Sequence, residues 1–210
     1  MGSQAVESPA TCQLLDGRQI SLRRLDIDDA EAVAALHQHL SDHDRYFRFF
    51  TLNPAHLDEV VSKLIDPTVG EYALGAFDGD RLIGIANYAV SADPTVADIA
   101  IVVAHEDHSH GVGTTLLKRL AQIARAHGIR RFAADVLAVN HLMLAVFSDL
   151  GWPRERMNSG TVLHLDIDLP DCITEPSKAT DEIPYEGVPN VVGDRKKTRN
   201  TGLHRRIGSI

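Results

Sequence analysis

The chain has 210 residues, 44% of them hydrophobic and 24% charged, with a formal net charge of −8. This fits one domain with or without a tail, able to bury a full core, and the acidic balance excludes nucleic acid as the main ligand. No apolar run approaches the roughly 20 residues that cross a bilayer, and Met1–Gln13 lacks the basic and apolar regions of an export signal, so a cytoplasmic protein without a membrane partner is expected.

Residues 1–12 are small and polar without periodicity, and 1–16 reads as a flexible segment. A strand is expected over 19–25, from Ile20, Leu22 and Leu25. Asp26 or Asp28 then offers a cap, and Val33, Leu36 and Leu40 give a helix over 28–41. The segment 41–50 is aromatic-rich and reads as a short helix or turn. Its Tyr46, Phe47, Phe49 and Phe50 are expected to pack on the sheet, with Arg45 and Arg48 facing out. Leu57, Val60, Val61 and Leu64 share one helical face over 54–65.

Strands at 71–77 and 81–90 flank Asp78-Gly79-Asp80, a strong hairpin signal. A third strand follows at 96–104. Leu116, Leu117, Leu120, Ala121 and Ala124 mark an amphipathic helix over Thr114–His127, closed by Gly128. The segment 130–138 becomes almost wholly apolar and is expected to be a strand buried on both faces. Asn140 caps a helix that ends at Gly151, and 161–169 alternates as a last strand. The strand–helix–strand unit over 96–138 makes its two strands parallel neighbours, so the fold class is α/β with one mixed sheet. From 170 the periodicity stops, and 170–210 reads as a mobile tail. The tail ends in a basic run, Asp194–Arg206, without which the other 15 bases and 28 acids carry −13. Cys12 and Cys172 form neither a disulfide framework nor a metal spacing.

The segment AHEDHSHGVGTTLL joins the strand at 96–104 to the following helix. Gly111 and Gly113 stand where that helix begins, with open N–H groups and the positive end of the dipole. Such a site holds a diphosphate without basic side chains, although the same pattern also serves as a plain structural turn. A Rossmann fingerprint would need a third glycine where Leu116 stands, and an acid where the next strand ends at Ala138. A P-loop would need Gly-Lys-Ser/Thr, and Gly113 is followed by Thr114 and Thr115. His105, His108 and His110 lie in a loop and miss the His-Glu-x-x-His spacing, so no metal is expected.

His108-Ser109-His110-Gly111-Val112-Gly113 resembles the Gln/Arg-x-x-Gly-x-Gly/Ala motif of the GNAT N-acetyltransferases. The resemblance covers roughly 17–169. DGRQISLRRLDIDDAEAV, DRYFRFF and DVLAVNHLML make it similar to the bacterial protein-lysine acetyltransferase branch. It implies a sheet whose parallel strands splay, with helices on both faces, and acetyl-CoA as co-substrate. By resemblance, the N–H groups of His108, Ser109, His110, Gly111, Val112, Gly113 and Thr114 cradle the pyrophosphate. The backbone of Ile101, Val102 and Val103 pairs with the pantetheine arm, an amide there polarises the thioester, and Asn140 bonds the arm. His108 departs from the family's Gln or Arg.

The acceptor is a primary amine, a protein lysine or a small molecule, and it must lose a proton before attack. Asp98 is the expected base, since Ala97-Asp98-Ile99-Ala100 resembles the branch's Ala-Glu-Val-Ala, one methylene shorter. Glu106 and Asp107 are reserves, expected to face solvent. Phe147 stands where many members carry a tyrosine acid, and it has no proton to give. A non-catalytic acyl-CoA-binding module remains an alternative.

Overall fold

The computed structural model describes residues 8–49, 57–152 and 154–171. Eight strands form one sheet: β1 (Ala10–Gln13), β2 (Gln19–Arg24), β3 (Glu71–Asp78), β4 (Arg81–Val90), β5 (Val96–Val103), β6 (Arg131–Leu137), β7 (Arg154–Ser159) and β8 (Val162–Asp168). Their spatial order is β1-β2-β3-β4-β5-β6-β8-β7. Every neighbouring pair is antiparallel except β5 and β6, which are joined by a crossover helix and run parallel. Among the described residues, five α-helices accompany the sheet: α1 (Ala30–Gln38), α2 (Asp42–Phe49), α3 (Leu57–Ile65), α4 (Val112–Ala126) and α5 (His141–Leu150).

The two faces of the sheet bury separate cores. On one, Leu116, Leu117, Leu120 and Ile123 of α4 pack with Leu22, Leu74, Ile83 and Phe132, and Phe147 of α5 joins them. On the other, Val33 and Leu36 of α1 and Val61 and Leu64 of α3 meet Ala73, Phe77, Ile85 and Val102. Successive residues of β3 and β4 thus serve opposite cores, so both strands are apolar almost throughout. At Gly84 a Cβ would sit 3.0 Å from Leu116 Cδ1 and 3.2 Å from Val102 O. That close approach draws the first turns of α4 onto β4 and β5.

Two strands lack a sequence signal, and both pair on one side only. β1 is a short outer strand whose Ala10 and Cys12 face Leu22 and Ile20 of β2. The flexible segment expected at 1–16 is therefore ordered from Ala10, and residues 1–7 lie outside the described part. β7 is the other edge, its sequence RERMNS without apolar alternation. The helix expected over 28–41 is shorter, because Ile27–Asp29 form a 3-10 turn boxed by Asp26 and Asp29. Of the tail expected from 170, only Pro170 and Asp171 are described.

Strand β6 corrects another expectation. Arg131 and Asp135 are exposed and Ala133 is only partly covered, so β6 is not buried on both faces. The reason is its neighbour: β5 pairs with β6 only at Val96–Arg131, Ala97–Phe132 and Asp98–Ala133, and then diverges. The splay lies in the middle of the sheet, with α4 and α5 on one side and α1–α3 on the other.

Candidate active site

The divergence exposes a strip of backbone. Ala104 N donates to Ile83 O at 2.9 Å, and Ser91 N to Val96 O at 2.9 Å. Strand alternation therefore turns Asp98, Ala100 and Val102 toward β4 through their backbone groups. Ile99, Ile101 and Val103 turn theirs toward the gap left by β6. Of the three residues expected to meet the pantetheine arm, Ile101 and Val103 thus offer amides. The backbone of Val102 belongs to the β4 ladder, and its buried side chain to the core under α1 and α3.

Beyond Ala104 the chain makes a 3-10 turn over His105–Asp107 and reaches Gly111 at φ 88°, ψ 4°, the left-handed cap of α4. Among the described residues no side chain caps that helix, so its first N–H groups face the opening with the positive dipole end. Ser109 also has positive φ, 65°, a strain of about 1 kcal/mol or more that persists where the surroundings enforce it.

The enforcing contacts come from the β1–β2 turn and the β3–β4 hairpin. Leu15 N donates to His110 O at 3.1 Å. Asp107 is only 1% exposed. Its Oδ1 accepts from Arg18 Nη1 at 2.8 Å, and its Oδ2 is ion-paired with Arg81 Nη2 at 2.9 Å. Arg18 also donates to Asp16 at 2.7 Å and to Asp78 at 2.9 Å. These carboxylates, Asp16 foremost, hold Arg18 above the usual guanidinium range, and Arg18 in turn lowers Asp16. Arg81 Nη1 reaches Glu106 at 3.0 Å. The expectation that Asp107 faces solvent is therefore wrong: its carboxylate is buried and anchors the loop between two guanidinium groups.

Two clefts meet at the splay. The first, of about 370 Å³, is lined by Ile101, Val102, Val103, His108, Ser109, Gly111, Val112, Gly113, Thr114 and Asn140, with Met143 and Val146 of α5 and Asp44, Phe47 and Arg48 of α2. These include ten of the expected cofactor residues. The eleventh, His110, is not in this wall; its Nε2 lies 3.9 Å from Asp16. Asn140 caps α5, its Oδ1 accepting from Met143 N at 3.1 Å, which leaves its amide Nδ2 to serve as a donor.

The second cleft, of about 290 Å³, opens between the diverging strands and is lined by Asp98, Ile99, Ala100, Ile101, Ala133, Asp135 and Val136, with Asn140 and Phe147 at its α5 side. Asp98 is exposed, in the last β5–β6 pair before the strands part. Ile101 is three residues further, about 10 Å along the strand. Phe147 is buried.

Arg48 departs from the outward position its sequence context suggests. It faces inward rather than out: Nη2 donates to Asn87 Oδ1 at 3.0 Å, and the side chain lines both clefts. Burial pulls its pKa down to about 10. An amphipathic reading of DRYFRFF assigns arginines outward by default, and only the polar Asn87 in the apolar strand β4 could have signalled an inward partner. Arg45 keeps to its own neighbourhood, donating to Leu40 O at 3.1 Å. Phe49 and Phe50 lie outside the described side chains.

Comparison with known proteins agrees with this geometry. The profile of the Acetyltransferase (GNAT) family matches residues 33–152. An acetyltransferase of Pseudomonas aeruginosa is 28% identical over 156 residues, 71% of this chain and 84% of that protein. The crystal structure of the GNAT domain of S. lividans PAT is 32% identical, covering 77% of this chain and 97% of that one, at a TM-score of 0.71. Spermidine N-acetyltransferase from Vibrio cholerae, solved with CoA and spermine, shares the fold at 18% identity and a TM-score of 0.58, over 71% of this chain and 95% of that one. With the strand splay, the uncapped helix start and the matched span in agreement, the chain belongs to the GNAT acetyltransferase family and takes its acetyl group from acetyl-CoA.

Proposed function

We propose that the enzyme transfers the acetyl group to the ε-amine of a lysine on a protein, with Asp98 as general base. The observation that carries this reading is the position of Asp98, an exposed carboxylate in a cleft that opens between β5 and β6. A lysine side chain is long and slender, and can enter such a cleft while its protein stays outside. The acidic balance of the chain, −8, favours a cationic acceptor.

The steps follow from the groups present. The diphosphate rests on the first N–H groups of α4, and the pantetheine arm runs beside Ile101 and Val103. An amide of the opened β5 strand donates to the thioester oxygen and stabilises the charge that develops there. A lysine amine, with an ordinary pKa near ~10.4, arrives protonated. Asp98 removes a proton from it through water, since the strand spacing sets the carboxylate about 10 Å from Ile101. The amine nitrogen bonds to the carbonyl carbon and releases its second proton to solvent, the C–S bond breaks, and the thiolate of CoA takes a proton from solvent, because Phe147 has none to supply. Reaction in the cytoplasm fits this chemistry, and no helix among the described residues is long and apolar enough to cross a membrane.

The test is an acceptor panel with acetyl-CoA: lysine peptides and folded proteins beside polyamines and amino acids, read by release of CoA thiol and by mass spectrometry. Turnover on peptide lysines with little on small amines is expected. Preference for a small amine would replace the acceptor assignment, and tight CoA binding without turnover on any amine would overturn the catalytic reading.

A further inference from the structure

We propose that Asp44, His105 and His108 form a binding site for a divalent ion of the zinc class, which ties α2 to the diphosphate loop. The inference is independent of the acceptor. It begins from the imidazole side chains of His105 and His108, to which the motif gives no role. His105 and His108 are spaced by three residues, which misses the i, i+4 spacing of helical metal motifs. The chain between them is a 3-10 turn, however, and in that geometry residues three apart eclipse one another. The two imidazoles consequently lie side by side, their ring centres 5.2 Å apart.

Helix α2, far away in sequence, supplies the third group. Asp44 Oδ2 lies 3.2 Å from His105 Nδ1. One ligand atom from each of the three residues falls within 4.8 Å of the other two. Three points so placed lie within about 2.8 Å of a common centre. Zinc bonds to imidazole nitrogen and carboxylate oxygen at roughly 2.0–2.2 Å. A contraction of about 0.6–0.8 Å per ligand at most closes the site around the ion, and the side chain of His105 is 72% exposed, with room to turn.

His108 also has the outer contact that metal-bound histidines commonly make. Its Nε2 donates to Val103 O at 3.0 Å. In a neutral imidazole this leaves the lone pair on Nδ1, and such a bond to a backbone carbonyl fixes the tautomer and raises ligand basicity. Two imidazoles and one carboxylate match the borderline preference of zinc, and a set of three leaves a coordination position for water. Asp44 and His108 both line the cofactor cleft, so the ion would join its two walls.

The experiment uses the full chain, free of any purification tag, at about pH 7, where the imidazoles bind metal in their neutral form. Zinc binding is measured by competition with a chromogenic chelator. Cobalt(II) serves as a spectroscopic substitute, and the melting temperature is followed with and without zinc. The wild type is expected to take up one zinc per chain, to melt higher with zinc, and to give the intense visible bands of low-coordinate cobalt. His105→Ala and Asp44→Asn should each weaken zinc binding roughly tenfold or more. His105→Ala should melt like the wild type when zinc is absent. No uptake at about 100 µM zinc, or the same uptake in the wild type and both variants, would overturn the proposal.

Discussion

Replacing Asp107 with alanine separates an anchor from a base. Its carboxylate is 1% exposed, accepts from Arg18 at 2.8 Å and is ion-paired with Arg81 at 2.9 Å. Breaking a buried ion pair by removing one partner costs about 3–5 kcal/mol when the other charge is left stranded. Here neither guanidinium is stranded: Arg18 keeps Asp16 and Asp78, and Arg81 keeps Glu106 at 3.0 Å. Both are partly solvated, so the loss falls to about 2 kcal/mol. For a chain of this size that lowers the melting temperature by roughly 4–8 °C. The loop from Ala104 to Gly111 loses its tie to the β1–β2 turn and to the β3–β4 hairpin, and the diphosphate must order it on binding. The KM for acetyl-CoA should rise about tenfold, near 1.4 kcal/mol, while kcat changes less than about threefold. Steady-state kinetics over acetyl-CoA concentration, with calorimetric melting, measure both. A kcat lowered by two orders of magnitude at unchanged KM would refute the reasoning and return Asp107 to the chemistry.

Other perturbations address other links. Asp98→Ala should lower kcat by about 10²–10⁴-fold with little change in acetyl-CoA affinity; an unchanged rate on the best acceptor would remove Asp98 as the base. Gly113→Ala should bind CoA within about threefold of the wild type, because its Cβ meets Val146 at 3.4 Å, an ordinary contact. Gly113→Asp brings a carboxylate beside the anionic cofactor and should weaken binding about a hundredfold or more by isothermal titration; equal affinities for the two variants would contradict the loop assignment. His37 is 2% exposed, and burial lowers its pKa from 6.5 to about 4. The unfolded chain therefore binds the proton more readily, so this contribution is complete above about pH 6.5 and is lost as pH falls toward 4, about 3 kcal/mol in all. Melting curves should fall through that window for the wild type and less steeply for His37→Leu, and parallel curves would exclude the effect.

The sequence makes the central sheet legible because β3 to β6 and α4 bury apolar residues at regular periods. Gly111 and Gly113 mark the start of α4, and the structure adds that Gly111 has positive φ and no side chain competes for the helix N–H groups. What stays hidden is pairing across long separations. β1 and β7 are edge strands without apolar alternation, and only their partners reveal them. Asp107 looks like a loop acid until Arg18, 89 residues earlier, folds over it. Arg48 looks like an outward cation until Asn87 of β4 gives it a partner. The splay itself leaves a trace only in retrospect, in the polar Asp98 and Asp135 of strands that otherwise read as buried. In each case a single residue type has two ordinary environments, and tertiary contact decides between them.

Acetyl-CoA is expected to lie across the splayed strands with its diphosphate on the start of α4. A crystal structure of the enzyme with acetyl-CoA tests this most directly. It should hold diphosphate oxygens within about 3.2 Å of backbone nitrogens between Ser109 and Thr114, with the pantetheine arm paired to Ile101 and Val103 and the acetyl group at the junction with the cleft of Asp98. A cofactor bound elsewhere, or a diphosphate held only by side chains away from that helix start, would contradict it.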